Sequence, residues 1–207
     1  MKAGICKLAI GVAAALACTQ VMAADGQIFV NGEAAGQNTA FNNLRSRDTT
    51  SMAGAVRLGY LWNYQSYTWG PEVGYVDLGR VAGTNYTEIS DLGGPYDPVR
   101  TRAHSDGEML GGFFKWHWAE GTGLFFSVRG GYLHTQTHGT SNDVRGYVND
   151  SASSSGDGFY VGAGIGYDFT RHFGISLNYD NYRSYAPGIW QTHFGTGLFG
   201  GSVEFRF

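Results

Sequence analysis

Hydrophobic and polar residues alternate with a period of two along much of the chain, which is the pattern of strands whose two faces meet different surroundings. In residues 52–62, one set of alternate positions is Gly54, Val56, Leu58, Tyr60 and Trp62, whereas the other is small or polar. The pattern recurs in 124–135, 159–169 and 173–182, and segments around 26–36, 66–78, 107–118 and 196–207 fit it too. The sequence therefore predicts eight strands, each of roughly the ten residues that a tilted strand needs to cross a bilayer.

The predicted connections alternate between short and long. Short connections lie at 63–65, 119–123 and 170–172, and longer ones lie near 37–51, 79–106, 136–156 and 183–195. This order predicts an up-and-down meander. It is typical of outer-membrane barrels, whose short turns and chain termini are periplasmic and whose long loops are extracellular.

The polar face of the predicted strands is mostly Gly, Ala and Ser, with few of the Lys, Thr and Glu residues that usually coat a solvent-exposed sheet. Small residues suit the narrow interior of an eight-stranded barrel. Aromatic residues collect near the short connections and toward the long ones, as in the two girdles at the membrane interfaces. The first group is Trp62, Tyr67, Trp69, Trp116, Trp118, Phe125, Phe169 and Phe173, and the second is Tyr75, Tyr132, Phe159, Tyr179 and Phe199. We predict an all-β, eight-stranded antiparallel transmembrane β-barrel.

Residues 1–23 have the layout of a secretory signal peptide, with Lys2 and Lys7, then an apolar stretch, then Val21-Met22-Ala23. Cleavage after Ala23 leaves 24–207 as the barrel domain. An alternative is a lipoprotein in which Cys18 is acylated. Outside this segment, no apolar run reaches the 18 or more residues of a membrane helix, so a chain that crosses a bilayer does so as a closed barrel.

Composition excludes several classes of protein. Aromatic residues make up 15% of the chain, which is too many for a disordered chain. A net charge of -3 argues against a nucleic-acid partner. Both cysteines lie in 1–23, so no disulfide framework is expected, and Lys115 is the one lysine of 24–207.

Several segments resemble a known family, the OmpA-type transmembrane barrel. Residues 70–80, GPEVGYVDLGR, closely resemble its third strand, and 164–169 resemble its sixth. Lys115 and the Arg129-Gly130-Gly131 step resemble its fourth and fifth strands. The resemblance covers 26–207 and implies a location in the Gram-negative outer membrane, in contact with lipid and lipopolysaccharide. The peptidoglycan-binding domain of larger members is not expected, because the chain stops at Phe207.

The end of the chain resembles the C-terminal signature of the family, in which apolar residues alternate up to a terminal Phe. Here these residues are Val203, Phe205 and Phe207. The resemblance implies that they form the signal by which the barrel assembly machinery recognises the chain.

In that family, salt bridges in the interior block or gate the lumen. Glu72, Lys115 and Arg129 match interior charged positions by motif, but Gly166 and Ser176 stand where the family often has an acid and a base. Counting residues from the short turns places four charged residues of neighbouring strands at about one height along the barrel, with Glu33 just above them. The four are Arg57, Glu72, Lys115 and Arg129. Because buried charges are costly unless paired, we predict one lumen cluster of Glu33, Arg57, Glu72, Lys115 and Arg129. It is expected to face a wall of Gly162, Gly164 and Gly166 that leaves space for water.

Other candidate chemistry is weaker. His134 and His138 are interpreted as a solvated pair rather than metal ligands, because no Cys or carboxylate is near them in the sequence. No metal or other cofactor is expected. The predicted function is a structural and surface-interacting, adhesion-like barrel with a lumen that is largely plugged and at most a narrow pore. Two alternatives stay open, a low-conductance channel and a lipid A-modifying enzyme with His134 and Thr135 at the outer rim.

Overall fold

The computed structural model describes residues 26–40, 47–48, 52–87, 97–118, 123–143, 149–186 and 192–207, and the predicted signal peptide and Cys18 lie outside them. The described residues form a closed antiparallel sheet in which β1 pairs with both β3 and β9, and β4 also pairs with β5. Apart from the two-residue β2, which pairs with β4, each strand lies beside its neighbour in sequence. The predicted eight-stranded antiparallel meander is confirmed. The strands are β1 (Gly26–Ala40), β2 (Arg47–Asp48), β3 (Met52–Tyr64), β4 (Tyr67–Thr87), β5 (Asp97–His117), β6 (Leu124–Asp143), β7 (Asn149–Asp168), β8 (Phe173–Ala186) and β9 (Thr192–Arg206).

The register of the strands sets their tilt. Each residue can be followed to its paired residue on the next strand, once around the barrel. The path starts at Phe29 of β1, passes Glu72 and Tyr160, and returns to β1 at Thr39, so the strands are staggered by ten residues per turn of the barrel. With about 3.3 Å per residue and 4.8 Å between strands, this stagger corresponds to a strand tilt of about 40°. That tilt makes a narrow barrel whose interior is filled by side chains.

The two ends of the barrel differ. We call the end with the short connections, such as the turn at Gln65 and Ser66 between β3 and β4, the turn end, and the opposite end the loop end. Gln65 has a φ of 45°, in the left-handed region that most residues avoid. No helix among the described residues is long and apolar enough to cross a membrane.

The outward positions form an apolar belt between two sets of aromatic residues. Leu110, Ile165 and Leu177 are exposed in the middle of this belt. The aromatic residues predicted for the loop-end girdle, such as Tyr132 and Phe159, are all exposed. At the turn end, Phe125 is an exception. It is buried in the lumen, because it shares its strand face with Ser127, and its ring lies 4.2 Å from the Lys115 ammonium.

The strands at the loop end are longer than the sequence predicted. Most of the predicted connection 79–106 is strand, since β4 extends to Thr87 and β5 begins at Asp97, and 136–156 is likewise mostly strand. Beyond the membrane belt both faces of a strand are polar, so the period-two signal disappears while the backbone pairing continues. Gly79, with a φ of 80°, lies at a bulge between Asp77 and Arg80. Its N–H donates to Asp77 Oδ1 at 2.8 Å.

Candidate functional site

The lumen holds a buried charge cluster around Arg57 of β3. The Arg57 guanidinium donates to Glu33 Oε2 at 2.6 Å through Nη1 and to Asp180 Oδ2 at 2.6 Å through Nη2. Nη2 also donates to the Tyr182 hydroxyl oxygen at 2.9 Å. Both carboxylates are completely buried and Arg57 is 1% exposed. One arginine therefore joins β1, β3 and β8 across the barrel interior.

Arg129 and Glu72 complete this central cluster. Arg129 Nε lies 3.8 Å from Asp180 Oδ1, and its Nη2 donates to Asn178 Oδ1 at 3.4 Å. Glu72 is buried and accepts a hydrogen bond of 2.8 Å from the Tyr160 hydroxyl. The central cluster is thus Glu33, Arg57, Glu72, Arg129, Tyr160, Asn178, Asp180 and Tyr182.

A second cluster fills the turn end of the lumen. Lys115 donates to Glu204 Oε1 at 2.7 Å and lies 3.8 Å from Asp168 Oδ1. Arg206 donates to the same Glu204 oxygen at 2.6 Å and also bonds Asp168. His117 Nε2 lies 2.9 Å from Asp168 Oδ2. These five residues, the turn-end cluster, connect β5, β7 and β9.

The structure therefore divides the predicted single cluster. Glu33, Arg57, Glu72 and Arg129 lie in the central cluster, whereas Lys115 is in the turn-end cluster with partners that the sequence analysis did not assign. The strands are tilted and staggered, so residues at equal distances in sequence from their turns lie at different heights along the barrel axis. Lys115 therefore lies nearer the turn end than Arg57 does.

The glycine wall is present, but side chains occupy the space in front of it. A Cβ at Gly162 would overlap the Asp180 carboxylate, and Asn178 and the Phe125 ring similarly approach Gly164 and Gly166. Between the two clusters there is a cavity of about 20 Å³, lined partly by Glu72, Lys115 and Glu204. It has room for about one water molecule. The expected water-filled space is largely taken by protein.

Sequence reasoning missed most of the partners in the lumen. These are Tyr160, Asp168, Asp180, Tyr182, Glu204 and Arg206. A usable signal was present, since each shares its strand face with small inward residues, as Asp180 does with Ser176 and Asn178. Treating every charge on an inward face as a candidate finds the four charged partners without any motif.

The residues weighed for catalysis lie on opposite faces of β6. His134 is on the outer face, where its Nδ1 is 2.7 Å from Asp157 Oδ1, and the Tyr132 hydroxyl donates to the same oxygen at 2.5 Å. Thr135 is buried inside, and its hydroxyl lies 2.5 Å from Ser184 Oγ. His134 is therefore not placed to activate the Thr135 hydroxyl.

A model of the outer membrane protein beta-barrel domain matches residues 10–207. The chain belongs to this family. A search of curated proteins found no match to the sequence. The family confirms the resemblance to OmpA-type barrels and places the chain in the outer membrane.

Solved structures with a similar fold include two of Ail, the attachment invasion locus protein of Yersinia pestis. One, in complex with the heparin analogue sucrose octasulfate, is 14% identical with a TM-score of 0.51, and the other is 15% identical with a TM-score of 0.50. Both matches cover 87% of the present chain and 99% of the Ail chain. The N-terminal β-barrel domain of Pseudomonas aeruginosa OprF is 18% identical over 88% of this chain and 99% of that chain, with a TM-score of 0.44. At these identities the Ail structures support the fold alone.

Membership of this family explains the exposed apolar belt, which in an outer-membrane barrel faces lipid. The predicted assembly signal lies on this outer face. Val203, Phe205 and Phe207 all point outward and are exposed, and the backbone of Phe207 exchanges hydrogen bonds of 2.9 and 3.3 Å with Ile28 of β1. The last residue thus lies at the seam where the barrel closes.

Proposed function

We propose that this outer-membrane barrel is a closed structural protein that presents its loop end at the cell surface for attachment. The observation that carries the closed state is the filling of the lumen by the two charge clusters. A hydrated ion must displace several buried, paired charges to pass, and the intervening cavity of about 20 Å³ is far too small to form a path. A low-conductance channel is therefore the less favoured role.

We place the turn end and both termini in the periplasm and the loop end outside the cell. The support is the general arrangement of outer-membrane barrels, in which short turns are periplasmic. In this orientation β4 continues from the girdle residue Tyr75 to Thr87, about 40 Å of strand at roughly 3.3 Å per residue. β5, β6 and β7 extend with it, so a polar sheet rises beyond the membrane on one side of the barrel.

The proposed role of this sheet is surface attachment. Ail, with a similar fold, carries the name attachment invasion locus protein and was solved with a heparin analogue. In the proposed orientation, the extended strands of the present chain hold polar residues outside the cell, where a surface partner has access to them. The barrel assembly machinery, recognising Val203, Phe205 and Phe207, and lipopolysaccharide around the belt are its further proposed partners. No nucleic-acid partner is proposed.

Attachment is tested with cells that carry the protein and adhere to a heparin-coated surface or to cultured host cells. A variant in which residues 82–102, the paired extensions of β4 and β5 with their connection, are replaced by a short Gly-Ser linker is expected to adhere much less than the unaltered protein. The matched control replaces 119–122, which we place in the periplasm, and is expected to adhere normally. Equal adherence of both variants to the unaltered protein contradicts the proposal.

We propose no enzymatic activity, because His134 and Thr135 lie on opposite sides of the barrel wall. Mass spectrometry of lipid A from cells with and without the protein checks this. Identical acylation patterns are expected, and a change that depends on His134 would support the enzymatic alternative instead.

A further inference from the structure

A layer of buried apolar side chains fills the lumen next to the central cluster. It consists of inward residues that belong to one contiguous buried group, and we call it the apolar layer. Its members are Ala35, Ala53, Val76, Leu78, Met109, Leu133 and Leu198, and the other residues of the group, Ala55, Tyr160 and Tyr182, border or belong to the central cluster. They come from β1, β3, β4, β5, β6 and β9, so the layer surrounds the lumen on most of its circumference.

The apolar layer lies on the loop-end side of the charges on each strand that carries both. On β1, Ala35 is the next inward residue after Glu33 in the direction of the loop end, and on β6, Leu133 follows Arg129. β9 runs the opposite way, and there Leu198 precedes the turn-end residue Glu204. Charges and apolar residues are therefore stacked in separate levels along the barrel axis.

The layer is tightly closed. Leu133 is 1% exposed, and Leu198 and Val76 are 0% exposed. On its central-cluster side, the stacked rings of Tyr160 and Tyr182 have centroids 6.0 Å apart, and their hydroxyls turn toward Glu72 and Arg57. The layer thus separates the ionic interior from the loop end. An apolar constriction excludes ions because no group in it replaces their hydration shell.

We propose that the apolar layer is a separate barrier, in series with the charge clusters, and that it keeps the lumen closed when ion pairs break. The inference rests on the proposed closed barrel and adds a second element that keeps it closed. In an ion-pair gate, rearranging charged side chains is enough to open a path. In this barrel that rearrangement leaves the buried apolar level intact, so the central charges are not a gate by themselves.

Thiol accessibility tests the barrier, because residues 24–207 contain no cysteine and a single introduced Cys is then the one thiol of the barrel. Ser202 is buried at the level of the central cluster, where its hydroxyl accepts from Asn31 and Asn178. Thr137 is partly exposed inside the loop end. In the refolded barrel, Thr137→Cys is expected to react readily with a small water-soluble methanethiosulfonate, and Ser202→Cys at least tenfold more slowly.

The decisive comparison changes one level at a time in the Ser202→Cys protein. Adding Arg129→Ala, which weakens the central cluster while Arg57 still pairs with Asp180, is expected to leave the reaction slow. Adding Leu133→Ser and Leu198→Ser is expected to accelerate it at least tenfold, whereas the outward-facing control pair Leu110→Ser and Leu177→Ser leaves it unchanged. Heat-modifiable migration on SDS gels verifies that each variant is folded.

Acceleration by Arg129→Ala, or a slow reaction after Leu133→Ser and Leu198→Ser in folded protein, overturns the inference. Conductance in planar bilayers separates this result from the proposed function. A conducting unaltered protein refutes the closed barrel itself, whereas a closed unaltered protein with a conducting Arg129→Ala variant refutes only the apolar barrier.

Discussion

Arg57 is the residue whose removal should destabilise this barrel most. It is 1% exposed and holds two fully buried carboxylates at 2.6 Å each. In Arg57→Met the side-chain volume is largely kept, but both carboxylates lose this cation. Asp180 retains Arg129 at 3.8 Å, whereas Glu33 has no other ion pair among the described residues, and its Oε1 already has no hydrogen-bond partner there.

Removing one partner of a buried ion pair typically costs about 3 to 5 kcal/mol of unfolding free energy. Arg57→Met removes the nearest cation from two buried carboxylates, and Glu33 has no other among the described residues. We therefore expect the unfolding free energy to fall by about 5 kcal/mol, the upper end of this range. The measurement is urea unfolding of the barrel in lipid vesicles, followed by tryptophan fluorescence. Heat-modifiable migration gives an independent measure of the folded fraction.

Two further variants test whether uncompensated buried charge is the cause of this loss. In Lys115→Met, Glu204 keeps Arg206 at 2.6 Å, so the loss is expected to be about 2 kcal/mol, as for hydrogen bonds to charged groups. Adding Glu33→Gln to Arg57→Met neutralises the carboxylate that has no other cation among the described residues, while Asp180 stays paired with Arg129, and should recover most of the lost stability. If Arg57→Met costs no more than Lys115→Met, or if neutralising Glu33 restores nothing, the cost does not come from uncompensated buried charge.

Three other substitutions, one of them with a matched control, have clear expected outcomes. Gly162→Ala brings a methyl group against the Asp180 carboxylate and should cost about 1 to 3 kcal/mol in the same urea assay, while Gly32→Ala, whose Cβ meets nothing within 4 Å, should cost nothing. Gln65→Gly relieves the left-handed backbone at the β3–β4 turn and should raise the unfolding free energy by about 1 kcal/mol, and an unchanged midpoint would speak against strain there. Phe207→Ser should lower the amount of barrel in the outer membrane of cells, measured by immunoblot, yet refold in vitro as the unaltered protein does. Equal amounts in cells would argue that Phe207 is not part of an assembly signal.

The fold was legible in the sequence because the membrane imposes a strict rule on each strand. Lipid on one side and a narrow lumen on the other require large apolar and small or polar residues to alternate, as in 52–62 and 159–169. Outside the membrane belt the alternation is lost, and the strands there were not predicted. The extensions of β4 from Gly79 onward and of β5 up to Asp106 were predicted as loop, because neither face of these polar extensions meets lipid.

The partners of the lumen charges could be found only in part. Alternation along each strand assigns Arg57, Lys115 and Asp180 to the interior, but it does not say which of them meet. Phe125 shows the same limit, since its aromatic character favoured the girdle although its position in the alternation placed it inside.

The sequence by itself determined the number and order of the eight long strands, the alternation of faces within the membrane belt, and the outer-membrane class, since these depend on local alternation and connection length. Only the tertiary structure decided which charges pair, that they form two clusters rather than one, and that an apolar layer lies beside them. The physical reason is the tilt of about 40° and the ten-residue stagger. They bring together residues as far apart in sequence as Arg57 and Asp180, and they separate Arg57 from Lys115, which equal counting from the turns had placed at one height.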